Sequence, residues 1–134
     1  MTNKDLLKIA EEFGTPVYVY DVESIKVQYE KLTSSFTKNT KFFYAAKALT
    51  NINILKYVKN LGANLDCVSI NEVKLGLKAG FTSERILFTP NCVDLAEIEE
   101  AMQLKVHINI DNISILEQFG TKFGGSYPIF VRIN

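Results

Sequence analysis

Three stretches put charged or reactive side chains where an apolar strand pattern leaves little room for them. The run "FFYAAKALTN", residues 42–51, carries a single lysine, Lys47, at its end. "NLDCVS" holds Asp66 and closes on Ser69, with Glu72 three residues further on; "IFVRIN" holds Arg132. Period-two alternation sets Phe43, Ala45 and Lys47 on one strand face and Phe42, Tyr44 and Ala46 on the other. A strand-end lysine can simply reach water. Held in poorly solvated surroundings, the same amine has a lowered pKa and forms Schiff bases with aldehydes, pyridoxal phosphate among them. An acid, a cation and an amine at matching strand ends make the second reading worth pursuing, because buried charges are costly unless paired or employed.

The elements that must position these residues follow a regular beat. "KFFYAAKA" predicts a strand, and "NINILKYVKNLG" a helix with Ile54, Leu55, Val58 and Leu61 on one face and Gly62 as its stop. "NLDCVS" predicts the next strand. "SINEVKLGLKAG" is its helix, opened by Ser69 and Glu72 at capping-box spacing and closed by Gly80. "RILFT" with "DLAEIEEAMQL" repeats the pair, Asp94 and Glu97 being a looser box. "VHINI" with "DNISILEQFG" repeats it again, with Asp111 as expected N-cap and Gly120 as expected stop, and "YPIFVRIN" begins a fifth strand. Strands recur about every 22 residues, the tempo of βα units in a parallel sheet.

That tempo fits a flavodoxin-like sheet or part of a (β/α)8 barrel. A whole barrel takes roughly 250 residues, and this chain has 134. The expected fold is therefore α/β, the N-terminal part of a barrel as far as about its fifth strand, in the front half of a larger protein. Residues 1–40 stand apart as an opening helix–strand–helix segment: "KDLLKIAEEFG" and "VESIKVQYEKLTSSF" flank the β-rich "TPVYVYD". Residues 41–134 form the half-barrel.

Composition narrows the function classes. Fifteen basic and fifteen acidic side chains give no net charge, hence no electrostatic case for nucleic acid or an anionic membrane. No apolar run nears the roughly 20 residues of a spanning helix, and the amphipathic N-terminus is unlike a signal peptide. Cys67 and Cys92 have neither metal spacing nor a disulfide framework, so a soluble protein of a reducing, cytoplasmic compartment is expected. "FGG" at 123–125 predicts a turn, and His107, the one histidine, a structural role.

"FFYAAKA", "LDCVSINEVKLGLKAGF", "RILFTPNC" and "VRIN", in this order and spacing, resemble the barrel domain of the alanine-racemase-like, fold type III pyridoxal-phosphate enzymes. Within these the chain is most similar to the amino-acid decarboxylases acting on meso-diaminopimelate, with ornithine and arginine decarboxylases more distant. "FGTPVYVYD" resembles the strand by which that family joins a second, β-rich domain. The resemblance covers nearly the whole chain.

It implies that Lys47 is the catalytic lysine that binds the cofactor covalently. Asp66, Ser69 and Glu72 become cofactor-facing residues of the second strand's edge, and Arg132 lies near the cofactor's ring hydroxyl. Ser69 and Glu72 keep helix capping as a rival role. The implied reaction converts meso-diaminopimelate to L-lysine and carbon dioxide, in a homodimer of the full-length enzyme. The family's stacking histidine and active-site cysteine fall outside this chain. Two positions depart from the pattern: Leu49 stands where an asparagine is usual, although Asn51 keeps the next one, and Val93 stands where many relatives have lysine. These departures bear on subfamily and substrate. A racemase or a single-domain cofactor carrier would share the barrel, but "TPVYVYD" speaks against the carrier. A non-catalytic relative would have no need of Lys47.

Overall fold

The computed structural model describes residues 1–133, which divide into two compact units, residues 1–37 and residues from 38 onward. In the first unit, α1 (Asn3–Phe13) starts at a complete capping box between Thr2 and Asp5 and ends at Gly14. The second helix, α2 (Val22–Ser34), is capped by Asp21, whose carboxylate accepts the backbone N–H groups of Glu23 and Ser24. The N-terminal ammonium also sits 3.2 Å from Asp21. Residues 15–21, expected as a strand, form none with any described residue. They run extended, with Tyr18 89% exposed. β-Rich composition suits a pleated, half-buried surface, and no described strand offers this run one.

Among its described residues the second unit is a five-stranded parallel sheet with four α-helices. Its strands are β1 (Phe43–Ala45), β2 (Asn64–Cys67), β3 (Ile86–Phe88), β4 (His107–Ile110) and β5 (Phe130–Val131). The helices between them are α3 (Ile52–Asn60), α4 (Ile70–Lys78), α5 (Leu95–Gln103) and α6 (Ile113–Phe123). Spatial order equals chain order, β1-β2-β3-β4-β5. A doubly wound sheet reverses its strand order at a switch point, and this one does not. The observed order is that of a barrel wall.

Register assigns the two faces. Leu65, Cys67, Ile86, Phe88, Ile108 and Ile110 are buried on the face that α4, α5 and α6 pack against. Each large member removed from water contributes about 1.5–3 kcal/mol. Gly76 lets α4 lie close to the sheet: a methyl there would overlap Leu65 Cδ2 and press on Ile86 Cδ1 at 3.3 Å. Surface ion pairs, Lys74 with Glu100 at 2.7 Å and Lys122 with Glu99 at 2.5 Å, link successive helices.

The other face carries Phe43, Ala45, Asn64, Asp66, Leu87 and Asn109, half-buried or exposed. Among the described residues helices cover one face of the sheet.

Three helices end alike. After α3, α4 and α5, the N–H of Ala63, Phe81 and Val106 returns to Val58, Gly76 and Ala101. The residue before each takes positive φ: Gly62 at 103°, Gly80 at 91° and Lys105 at 59°. This is the Schellman closure, with Ala63, Phe81 and Val106 buried beneath it. The fourth helix differs from expectation at both ends. Asn112, not Asp111, caps α6, its Oδ1 accepting from Ser114 at 2.8 Å and Ile115 at 3.3 Å. The helix passes through Gly120 and stops at Gly124, φ 56°, which places the "FGG" turn as expected. A glycine permits a stop without forcing one, and Gly124 supplies the positive φ here.

Candidate functional site

The side chains singled out in the sequence lie toward one end of this sheet, Asp66 within β2 and the others in or beyond the turns that follow the strands. Lys47 comes first. β1 ends at Ala45, and Ala46–Ala48 form a 3-10 turn, so strand alternation does not reach the lysine. Leu49 N–H closes the turn on Ala46 O at 3.1 Å, and Ala46 is fully buried. Tyr44, on the helix-covered face opposite Leu65, donates its hydroxyl to Leu49 O at 3.3 Å. Burial raises the Tyr44 pKa, which keeps that hydroxyl a donor. Asn51 then caps α3, its Oδ1 accepting from Asn53 at 2.9 Å. Leu49 and Asn51, noted as one departure and one match, thus both shape the turn that presents Lys47.

Lys47 itself is exposed. The expected desolvated amine is corrected on this point: the 3-10 turn lifts Lys47 off the strand, and no described residue covers it. What the chain does provide is a primary amine on a turn anchored at both ends.

Asp66 lies opposite Ala45 in register and therefore on the open sheet face. Its Oδ1 accepts the Thr89 hydroxyl at 2.5 Å. Ser69 lies past the end of β2 as N-cap of α4, accepting Glu72 N–H at 3.3 Å. Glu72 folds back to accept Val68 N–H at 2.8 Å, one residue before the position a strict capping box would use. Both residues thus clamp the β2–α4 turn, the rival role foreseen for them.

Arg132 follows β5, and its backbone N–H donates to Ile110 O at 2.9 Å. The side chain is exposed at the same end of the sheet as Lys47. Lys47, Asp66, Ser69 and Arg132 therefore share the carboxyl ends of β1, β2 and β5.

Other polar residues belong elsewhere. His107 lies at the amino end of β4, its Nε2 3.2 Å from Glu84 O and its ring edge-on to Phe130 at 5.9 Å. Arg85, also at the amino end, donates to Lys59 O at 3.1 Å, to Ala63 O and to Asn64 Oδ1 at 3.3 Å. Burial pushes the Cys67 thiol pKa well up, with the Glu72 and Asp66 carboxylates adding to it. Among the described residues no group of histidine, cysteine and carboxylate side chains could hold a metal ion. No described helix is long and apolar enough to cross a membrane.

Two site features escaped the sequence. Thr89 reads as the end of an apolar strand, and only register brings it to Asp66. Asn109, on the same face, has a buried Oδ1 with no hydrogen-bond partner among the described residues.

Comparison with known proteins agrees with the fold. The profile of one family, described as "Pyridoxal-dependent decarboxylase, pyridoxal binding domain", matches residues 22–134. Diaminopimelate decarboxylase of Methanothermobacter thermautotrophicus is 37% identical over 133 residues, covering 97% of this chain and 31% of that protein. The crystal structure of Helicobacter pylori diaminopimelate decarboxylase with L-lysine is 31% identical with a TM-score of 0.77, over 92% of this chain and 34% of that one. Lysine/ornithine decarboxylase from Vibrio vulnificus, at 24% identity over 97% of this chain and 36% of its own, shares the fold with a TM-score of 0.87. The chain spans about a third of the length of the curated relatives it matches. By its sheet order and by a match that runs from the first residue of α2 to Asn134, the chain belongs to the pyridoxal-dependent decarboxylases, within their pyridoxal-binding domain.

Proposed function

We propose that this chain forms the first half of the cofactor barrel of an enzyme that decarboxylates meso-2,6-diaminopimelate to L-lysine and carbon dioxide, with pyridoxal 5'-phosphate as cofactor. The carrying observation is Lys47: a lone primary amine on an anchored turn at the carboxyl end of β1, in a chain of the pyridoxal-binding family. Barrel enzymes place their chemistry at that end.

The residues present suit the cofactor. An exposed amine answers its aldehyde, and the Arg132 guanidinium answers an anionic ring hydroxyl. Asp66 offers an acceptor for a proton-bearing group, as does the buried Oδ1 of Asn109, which has no hydrogen-bond partner among the described residues. Bound pyridoxal phosphate supplies an electron sink for the pair left behind when a carboxylate departs as carbon dioxide. The protein's part is attachment and orientation. Lys47 Nζ would hold the cofactor through its aldehyde, and this amine would have to lose and regain a proton to do so. Arg132 would hold the side of the ring that carries the hydroxyl. Glu72 and Ser69 act one step back, by setting the β2–α4 turn that follows Asp66.

The complete enzyme is expected to be a homodimer taking a small amino-acid substrate. Cys67 and Cys92 are both free thiols, which fits a reducing cytoplasm. The test is borohydride reduction of the protein from its native cells, followed by intact mass and digestion. A reduced pyridoxyl group on Lys47, in a polypeptide well above 15.1 kDa, is the expected result. An unmodified Lys47 would overturn it. A substrate panel of meso-diaminopimelate, ornithine and arginine then decides specificity, with carbon dioxide release from the first expected to dominate.

A further inference from the structure

We propose that Thr89 is a positioning residue that fixes the Asp66 carboxylate for cofactor binding, an inference that rests on the reading above. Thr89 directly follows β3, and its backbone N–H extends the parallel ladder by donating to Cys67 O at 2.7 Å. Alternation from Leu87 turns its side chain to the open sheet face, where Asp66 lies. The Thr89 hydroxyl is 2.5 Å from Asp66 Oδ1 and 3.4 Å from Cys67 O. A hydroxyl has a single proton to donate, and the shorter contact, to a carboxylate oxygen, takes it. Thr89 is the one hydrogen-bond partner of the Asp66 carboxylate among the described residues.

The consequence is geometric. An aspartate on an open face can turn about its terminal torsion, which has broad minima. Tethering Oδ1 removes that freedom and leaves Oδ2 as the acceptor for a proton-bearing group of the bound cofactor or substrate. A purely structural account would have the hydroxyl tie β2 to β3. The backbone already does this, through the pairing of Leu65, Asp66 and Cys67 with Ile86, Leu87 and Phe88. The side-chain bond is thus redundant for the sheet and specific for the carboxylate.

The test uses the complete holoenzyme and reads equilibrium affinity for pyridoxal phosphate from its absorbance, alongside the thermal midpoint. A hydrogen bond to a charged group, once lost, typically costs a factor of about ten or more. Thr89→Val is therefore expected to weaken cofactor binding about tenfold, and Thr89→Ser to restore it to within about twofold. In an Asp66→Ala background, Thr89→Val should add less than about twofold, since the two residues act as one unit. Unchanged affinity in Thr89→Val, or an equal loss with and without Asp66, would overturn the assignment. Should Thr89→Val fail to fold, Thr89→Ala carries the same comparison. A wild-type protein that binds no pyridoxal phosphate at Lys47 would instead defeat the proposed function, so the two failures are distinguishable.

Discussion

Lys105 shows how a single residue can hide from the sequence. The loops after α3 and α4 turn on glycine, and those two stops were legible because glycine alone adopts positive φ without cost. The loop after α5 makes the same turn on a lysine at φ 59°. Such a conformation costs a non-glycine residue about 1 kcal/mol. Lys105→Gly is expected to raise the unfolding free energy by about 0.5–1 kcal/mol in urea melts followed by circular dichroism. Gly80→Ala should lower it by about 1 kcal/mol, since φ is 91° and the added methyl meets Lys59 Nζ at 3.0 Å. The two cysteines separate equally cleanly. Cys67 is buried with its thiol pKa pushed up, and Cys92 is exposed. Thiolate is the reactive form. An aromatic disulfide reagent at pH 8 should therefore modify Cys92 in the native chain and reach Cys67 only in denaturant. Prompt labelling of Cys67 without denaturant would contradict the burial described here.

At the scale of elements, the pattern of apolar residues placed every strand of the sheet and every helix, while element ends were read less well. Lys47 was assigned to β1 because alternation continues on paper through "YAAKA". The chain leaves the strand at Ala46, where a buried alanine and the Tyr44 hydroxyl favour a 3-10 turn. Asp111 and Asn112 are chemically equal candidates for a cap, and geometry alone selected the second. Arg85 was not legible at all. It directly precedes β3, yet its guanidinium spans Lys59 O, Ala63 O and Asn64 Oδ1 and stacks over Phe81 at 5.5 Å. One fork thus seals two helix-to-strand loops at the amino end of the sheet, away from Lys47. Arg85→Ala should cost about 2–3 kcal/mol, because buried carbonyls lose charged donors. Arg85→Lys should recover little of this, an ammonium having no planar fork. Equal stability of Arg85→Lys and wild type in denaturant melts would refute that account. Gly76→Ala should cost about 1–3 kcal/mol by forcing α4 off Leu65 and Ile86.

For the whole molecule, the 22-residue beat and the chain length led to a barrel wall, and strand order then excluded the doubly wound alternative. The open face was not legible, because the sequence lists apolar residues for both faces without saying what covers them. Phe130 is 56% and Ile133 93% exposed at the β5 side, where the described sheet has no further strand. An uncovered edge of this kind templates pairing with another chain. The isolated 134-residue chain should therefore self-associate at micromolar concentration, seen by light scattering, and Phe130→Lys should shift it toward the monomer. The same openness bears on catalysis. Lys47 stands in water in this chain, whereas electrostatic catalysis is strongest in a water-excluded site, and a barrel holds phosphate with loops after its seventh and eighth strands. Given pyridoxal phosphate and meso-diaminopimelate, the isolated chain should attach some aldehyde at Lys47, trappable by borohydride, yet release no carbon dioxide above the free cofactor. Release well above that background would mean that five strands suffice for the chemistry, and the half-barrel assignment would fall.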